Sequence, residues 1–147
     1  VMSKFIHGVA LDEAPVIFGD GTQRRSYNFS EDSARATADA IFTNKTDNFT
    51  INIGNSTEPI TLIDLAKKVV KLAGKEKSLD VIVKNSFENT DRDVKREIFQ
   101  RYCDTSLAKK LIDYEPKISL DEGIKKVLDI GVFLSAWLSS EKGYLID

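Results

Sequence analysis

The sequence predicts a small α/β domain, on three observations. Two Ser/Thr-x-x-Asp/Glu capping patterns, at Thr61–Asp64 and Ser119–Glu122, each open a run of apolar residues at helical spacing. Short runs rich in β-branched and aromatic residues alternate with those helices and stop at glycines, as at Val16-Ile17-Phe18 before Gly19 and Phe49–Ile53 before Gly54. The 147 residues are 41% hydrophobic with a net charge of −2, enough apolar material for one core and no sign of disorder.

From the amino end, Met2, Phe5, Ile6, Val9 and Ala10 share one helical face, and Pro15 follows where that pattern stops. Val16–Phe18 reads as a strand ended by the Gly19-Asp20-Gly21 turn, and Ser26–Phe29 alternates as a second, half-buried strand. Ser30-Glu31-Asp32 puts acids in the first turn of a helix whose stripe is Ala34, Ala38, Ile41 and Phe42. Phe49–Ile53 reads as the next strand. The helix after Thr61 carries Leu62, Leu65, Ala66, Val69, Leu72 and Ala73 and ends at Gly74. Leu79–Val83 is a further strand. Asp104 caps a short helix with Leu107, Ala108, Leu111 and Ile112. The last helix turns Leu120, Ile124, Val127, Leu128, Leu134 and Leu138 inward.

Composition excludes several functions. A lone Cys103 rules out an internal disulfide and a multi-cysteine zinc site. A lone His7 rules out a His-rich metal site and argues against an internal Ser-His-Asp triad, so no metal is expected. With 21 Lys+Arg against 23 Asp+Glu, the chain lacks the cationic excess of a dedicated nucleic-acid binder. Its longest uncharged tail stretch, Ile130–Ser140, is 11 residues, short of the ~20 a span needs. The opening VMSKFIHGVALDEAP is amphipathic and unlike a signal peptide, so the cytoplasm is the expected location. His7 reads as a packing or surface residue, Cys103 as a small buried one, and Lys67-Lys68, Lys109-Lys110 and Lys125-Lys126 as solvated faces. The tail with Trp137 reads as an interface or as a continued core-facing helix.

The most informative segment is Gly19-Asp-Gly-Thr-Gln-Arg-Arg-Ser-Tyr27. Glycines let a ligand approach the backbone, and two arginines can meet anionic oxygens in bidentate geometry. A dinucleotide fingerprint would need a third glycine where Arg24 stands. By itself the segment fits either an anion site or a hairpin-like turn with solvated arginines.

Four motifs in order decide between these: VIFGDGTQRRSYNFSED, FTINIG, ITLIDLAKKVVKLAG and CDTSLAKKLIDYEPKISLDEGI. With them the chain, to about Asp129, resembles the carboxy-terminal, substrate-binding half of the NAD-dependent sugar-nucleotide epimerase/dehydratase family, extended short-chain dehydrogenases of the UDP-glucose 4-epimerase-like kind. The resemblance implies that residues 1–147 form a small substrate-binding domain. It implies a base lying against Phe18 and Val16, a diphosphate held by the arginine two places after Gln23, namely Arg25, and Tyr27 lining the same pocket. Glu97 takes the ribose- or sugar-contacting position, and Arg101 another pocket-lining one. The implied substrate-binding set is therefore Val16, Phe18, Gln23, Arg25, Tyr27, Arg96, Glu97 and Arg101. The family's second phosphate arginine falls on Val94, leaving Arg96 or Arg92 to supply that charge. Ser26 replaces the usual Asp, Ser30-Glu31-Asp32 replaces Val-x-Asp, and Asp113 replaces a helix-ending glycine.

The family's Tyr-x-x-x-Lys pair is not found. Four residues after Tyr27, Tyr102 and Tyr114 stand Glu31, Ser106 and Ile118, and Tyr144 lies too near the end. The resemblance thus implies an NAD-binding Rossmann half outside this chain, no catalytic residue and no bound NAD within it, and a nucleoside-diphosphate sugar, a UDP-sugar first, as ligand. A 4-epimerase is the leading reading. A 4,6-dehydratase, decarboxylase or reductase of the same family, or a non-catalytic binding module, are the alternatives. An exposed apolar face left by the absent half would also permit a homodimer.

Overall fold

The computed structural model describes residues 1–84 and 98–140, with residues 132–140 as helix backbone only. Among the described residues five helices and five short strands follow in the order α1 (Met2–Ala10), β1 (Val16–Phe18), β2 (Arg24–Arg25), α2 (Ser30–Ile41), β3 (Ile60–Thr61), α3 (Leu62–Leu72), β4 (Ile82–Lys84), β5 (Gln100–Arg101), α4 (Ser106–Ile112) and α5 (Leu120–Ser140). A 3-10 turn, Asn44–Thr46, follows α2. The mixed α/β class is as the sequence predicts.

The core lies where α1, α3 and α5 meet. Phe5, Ile6 and Val9 of α1 pack on Leu62, Leu65, Ala66, Val69 and Val70 of α3 and on Leu120, Ile124 and Leu128 of α5. Removing each such side chain from water contributes about 1.5–3 kcal/mol, which far exceeds the weak helix propensity of segments this short. Both capping patterns form. Thr61 Oγ1 accepts from the Asp64 N–H at 3.1 Å, and the Ser119 N–H donates to Glu122 Oε2 at 2.9 Å while Glu122 N–H donates to Ser119 Oγ at 3.3 Å. Asp104 caps α4 through Ser106 N–H at 2.8 Å. Asp113 ends α4 with φ 52°, the left-handed conformation usually given to glycine.

Two small sheets flank this core. β1 and β4 pair in parallel, with Val16, Ile17 and Phe18 opposite Ile82, Val83 and Lys84. In the second sheet, of order β3-β2-β5, β2 runs antiparallel to β3 and parallel to β5.

Several expectations are corrected. The stripe Ala34, Ala38, Ile41 and Phe42 faces solvent, with Ile41 72% and Phe42 89% exposed. The buried face of α2 is Asp32 and Ala36 instead. Asp32 is drawn inward by the Lys117 and Ile118 N–H groups, at 3.0 Å each to Oδ2, and by Arg35 at 2.7 Å. Ala36 packs on Ala108 and Tyr114. Val127 is 37% exposed because Leu120, Ile124 and Leu128, four apart, carry the stripe and leave it on the flank. Residues 26–29 form no strand, since β2 is paired only at Arg24 and Arg25. Residues 49–53 form none either, for among the described residues nothing offers their backbone a ladder partner. The strand expected at Leu79–Val83 begins later, at Ile82. Leu134 and Leu138 fall where only the backbone is described.

Candidate functional site

β1 alternates as a strand must, so Ile17 enters the core at 2% exposure while Val16 and Phe18 share the other face. Those two line a cleft of about 240 Å³ between β1 and the start of α1, together with Val1, Lys4, Phe5 and Pro15. Lys84, opposite Phe18 in β4, carries its Nζ 5.8 Å from the centre of the Phe18 ring, a cation–π placement.

The turn leaving β1 is pinned at several points. Gly19 (φ 84°) and Gly21 (φ 73°) adopt conformations that a side chain would strain, and a Cβ on Gly21 would come within 3.2 Å of Ile63. Asp20 Oδ1 accepts from Thr22 N–H at 2.9 Å and Thr22 Oγ1 at 2.8 Å, which holds its carboxyl below the usual range. Gln23 is 1% exposed and its Oε1 has no hydrogen-bond partner among the described residues. It lies inside the turn and is absent from the residues that line the cleft.

The turn delivers β2. Arg24 donates through Nη2 to Pro59 O at 3.0 Å, and its backbone N–H meets Phe99 O at 2.6 Å. Arg25 donates through Nη1 to Arg24 O at 2.8 Å and to Phe99 O at 3.4 Å. The parallel register sets Arg25 directly opposite Arg101, and Arg24 opposite Gln100. Two of the sequence-derived site residues from distant parts of the chain are thereby brought side by side. Tyr27 is half-buried. Burial pushes its phenol up, and the charge of Arg25 opposes this in part. Its ring packs against the core and lines a crevice with Phe29, Leu120 and Ile124, apart from the cleft at Phe18. Arg92, Arg96 and Glu97 lie outside the described residues.

Sequence reasoning passed over Lys84 and Lys4. The expected strand stopped one residue short of Lys84, and only the parallel β1–β4 register shows that it faces Phe18. A larger groove, about 780 Å³, lies on α3 among Lys67, Lys68, Lys71, Leu72 and Leu79, and is lined by none of the sequence-derived substrate-binding residues. Among the described residues no three His, Cys, Asp or Glu side chains gather to hold a metal ion. No helix among them is long and apolar enough to cross a membrane. The Gly19–Gly21 turn does not fit the pyrophosphate of NAD. A dinucleotide cradle needs a glycine turn opening a helix, whose N-terminus faces the pyrophosphate, and the Gly19–Gly21 turn runs from β1 into another strand.

An apolar cleft bordered by lysines, beside a strand pair presenting two arginines, is suited to binding an anionic ligand with a flat apolar end. The sequence profile of the GDP-mannose 4,6 dehydratase family matches residues 1–127. The chain belongs to the NAD-dependent epimerase/dehydratase family.

Within that family it is 32% identical over 126 residues to a UDP-glucuronate 4-epimerase of Thermodesulfobacterium geofontis, covering 86% of this chain and 36% of the relative. It is 33% identical over 124 residues to UDP-glucuronic acid decarboxylase 3 of Arabidopsis thaliana, covering 84% and 33%. Among solved structures, a Bacillus cereus UDP-glucuronic acid 4-epimerase mutant, in complex with UDP-4-deoxy-4-fluoro-glucuronic acid and NAD, superposes with a TM-score of 0.74 at 30% identity, over 90% of this chain and 40% of that one. The Thermotoga maritima UDP-glucose 4-epimerase with UDP-glucose gives 0.74 at 26% identity, over 92% and 40%. The family fold here is that of the carboxy-terminal portion of these epimerases. The chain spans two fifths or less of the length of each of these relatives.

Proposed function

We propose that this chain is the nucleotide-sugar-binding part of an NAD-dependent sugar-nucleotide 4-epimerase acting on a UDP-sugar. The observation that carries the reading is the strand register that pairs Arg25 with Arg101 immediately after the turn from the Phe18 cleft. In this reading the base lies against Val16 and Phe18 and the diphosphate meets Arg25. Gln23 and Tyr27 support the turn and strand from within, and Arg96 or Arg92, with Glu97, completes the pocket. Arginine suits the phosphate role because its planar fork donates two parallel hydrogen bonds to neighbouring oxygens.

NAD, and the Tyr/Lys pair that moves the proton, belong on this reading to a Rossmann half outside residues 1–147, and the reaction takes place in the cytoplasm. This part supplies binding energy. Contacts to the remote nucleotide fix the sugar's reacting carbon against the other half, which converts affinity into orientation. The exposed group Ile41, Phe42 and Phe49 supports an interface with that half, or with a second copy when the half is absent.

The decarboxylase relatives support a second reading in which the same pocket serves UDP-glucuronate decarboxylation. Turnover by the full-length protein decides, with UDP-, GDP-, dTDP- and CDP-sugars supplied singly alongside NAD and products resolved by NMR. The first reading predicts an inverted C4 centre on a UDP-sugar. Carbon dioxide release supports the second, and no turnover with any of them overturns both.

A further inference from the structure

We propose that Lys84 reads the base of the bound nucleotide, favouring bases with an exocyclic oxygen at the edge it meets over bases with an amino group there. This rests on the function proposed above and names a specificity-determining residue of that same site.

Two backbone constraints set the position of Lys84. The parallel register places it opposite Phe18, and its carbonyl accepts from Gly19 N–H at 2.9 Å, which ties it to the start of the turn. In parallel strands, residues in register project to the same face about 4.8 Å apart. Val16, Phe18, Ile82 and Lys84 therefore share one face, three apolar side chains with an ammonium at the end beside the turn. Ile82 is 45% exposed, so this face is open to a flat apolar group. Lys84 is exposed too, and among the described residues its Nζ lies against the Phe18 ring and makes no hydrogen bond or ion pair. Its charge is therefore not engaged in holding the fold together.

The geometry at the ring decides what that ammonium meets. Nζ stands 5.8 Å from the centre of the Phe18 ring. A base stacked on the ring lies about 3.5–4.0 Å above it, too close to leave an ammonium room above the base. With a base in place the ammonium therefore stands at the base's edge. There it offers donors and no acceptor. An exocyclic carbonyl oxygen, O4 of uracil or thymine or O6 of guanine, accepts from it. The amino groups of cytosine and adenine set donor against donor and leave a desolvated N–H without a partner.

The test is calorimetric titration of the full-length protein and its Lys84→Met and Lys84→Arg variants with UDP and CDP, which differ in the oxygen or amino group at C4 and the proton on the neighbouring ring nitrogen. The wild type is expected to bind UDP at least about tenfold more tightly than CDP. Lys84→Met keeps the apolar stem but no donor, and should weaken UDP about five- to tenfold while CDP stays within about twofold. Lys84→Arg restores donors and should recover most of the preference. Unchanged thermal melting establishes that the exposed substitutions leave the fold intact. Equal wild-type affinity for UDP and CDP overturns the proposal, as does a UDP-to-CDP ratio that Lys84→Met leaves unchanged. An equal loss for both nucleotides also overturns it, making Lys84 a phosphate ligand or a mere support of the Phe18 ring. Failure of the wild type to bind either nucleotide would instead overturn the function on which the proposal rests.

Discussion

Asp32 is the strongest single test of how the fold is held. Its carboxylate is 2% exposed and accepts from Lys117 N–H, Ile118 N–H and Arg35, tying α2 to the segment that leads into α5. Asp32→Ala leaves two backbone N–H groups without their acceptor, at about 1–3 kcal/mol for each that stays dry. Lys117 is exposed and Ile118 half-buried, so water recovers part of this. The Arg35 pair, on a partly exposed side chain, adds under about 1 kcal/mol. The expected loss is about 2–4 kcal/mol, and about half that for Asp32→Asn, which keeps one acceptor. Burial raises the Asp32 pKa, but the Arg35 side chain and the Ile118 and Lys117 N–H groups outweigh it and hold the carboxyl below its ordinary value of 3.8. A group whose folded pKa is depressed contributes its full stability above the unfolded value and loses it as pH falls through the folded one. Urea unfolding followed by far-UV circular dichroism should therefore show the wild-type advantage in full at pH 7 and shrinking below pH 3.8. A loss under about 0.5 kcal/mol at pH 7, or a gap indifferent to acid, would refute the reasoning.

Two other substitutions probe packing around the site. A Cβ on Gly54 would stand 2.5 Å from Cys103 Sγ, so Gly54→Ala should cost about 1–3 kcal/mol in denaturant unfolding. Adding Cys103→Ala should return most of that, and an unrescued double variant would place the strain elsewhere. Gln23→Met removes a buried oxygen with no partner among the described residues, so stability should rise by about 1 kcal/mol. Because Gln23 does not line the Phe18 cleft, UDP-sugar affinity should hold within about twofold, and a tenfold loss would make its amide a direct ligand.

What the sequence made legible was local. The Thr61–Asp64 and Ser119–Glu122 caps, the core stripes of α1 and α3, Leu120, Ile124 and Leu128 of α5 and the left-handed Asp113 all depend on residues within one or two turns, and these formed as read. The stripe on α2 misled because periodicity reports an apolar face without saying what covers it. Here that face is bare, and the buried one is set by Asp32 reaching residues 85 and 86 positions away. Phe49–Ile53 has the alternation of a strand, yet a strand is a pairing, and the partner is not written in the segment itself. The site divided in the same manner. Phe18 and Arg25 stand in one contiguous motif, whereas the meeting of Arg25 with Arg101, and of Phe18 with Lys84, belongs to parallel registers between segments more than 60 residues apart.

The central claim is that Arg25 holds the diphosphate of a UDP-sugar. Its most direct test is titration of the full-length protein and its Arg25→Ala variant with one UDP-sugar, with bound NAD quantified in both. Loss of a charge-assisted bidentate contact, about 1.5–3 kcal/mol, predicts a roughly 10- to 100-fold weaker affinity at unchanged NAD content. A variant that binds the nucleotide sugar as tightly as the wild type would contradict it.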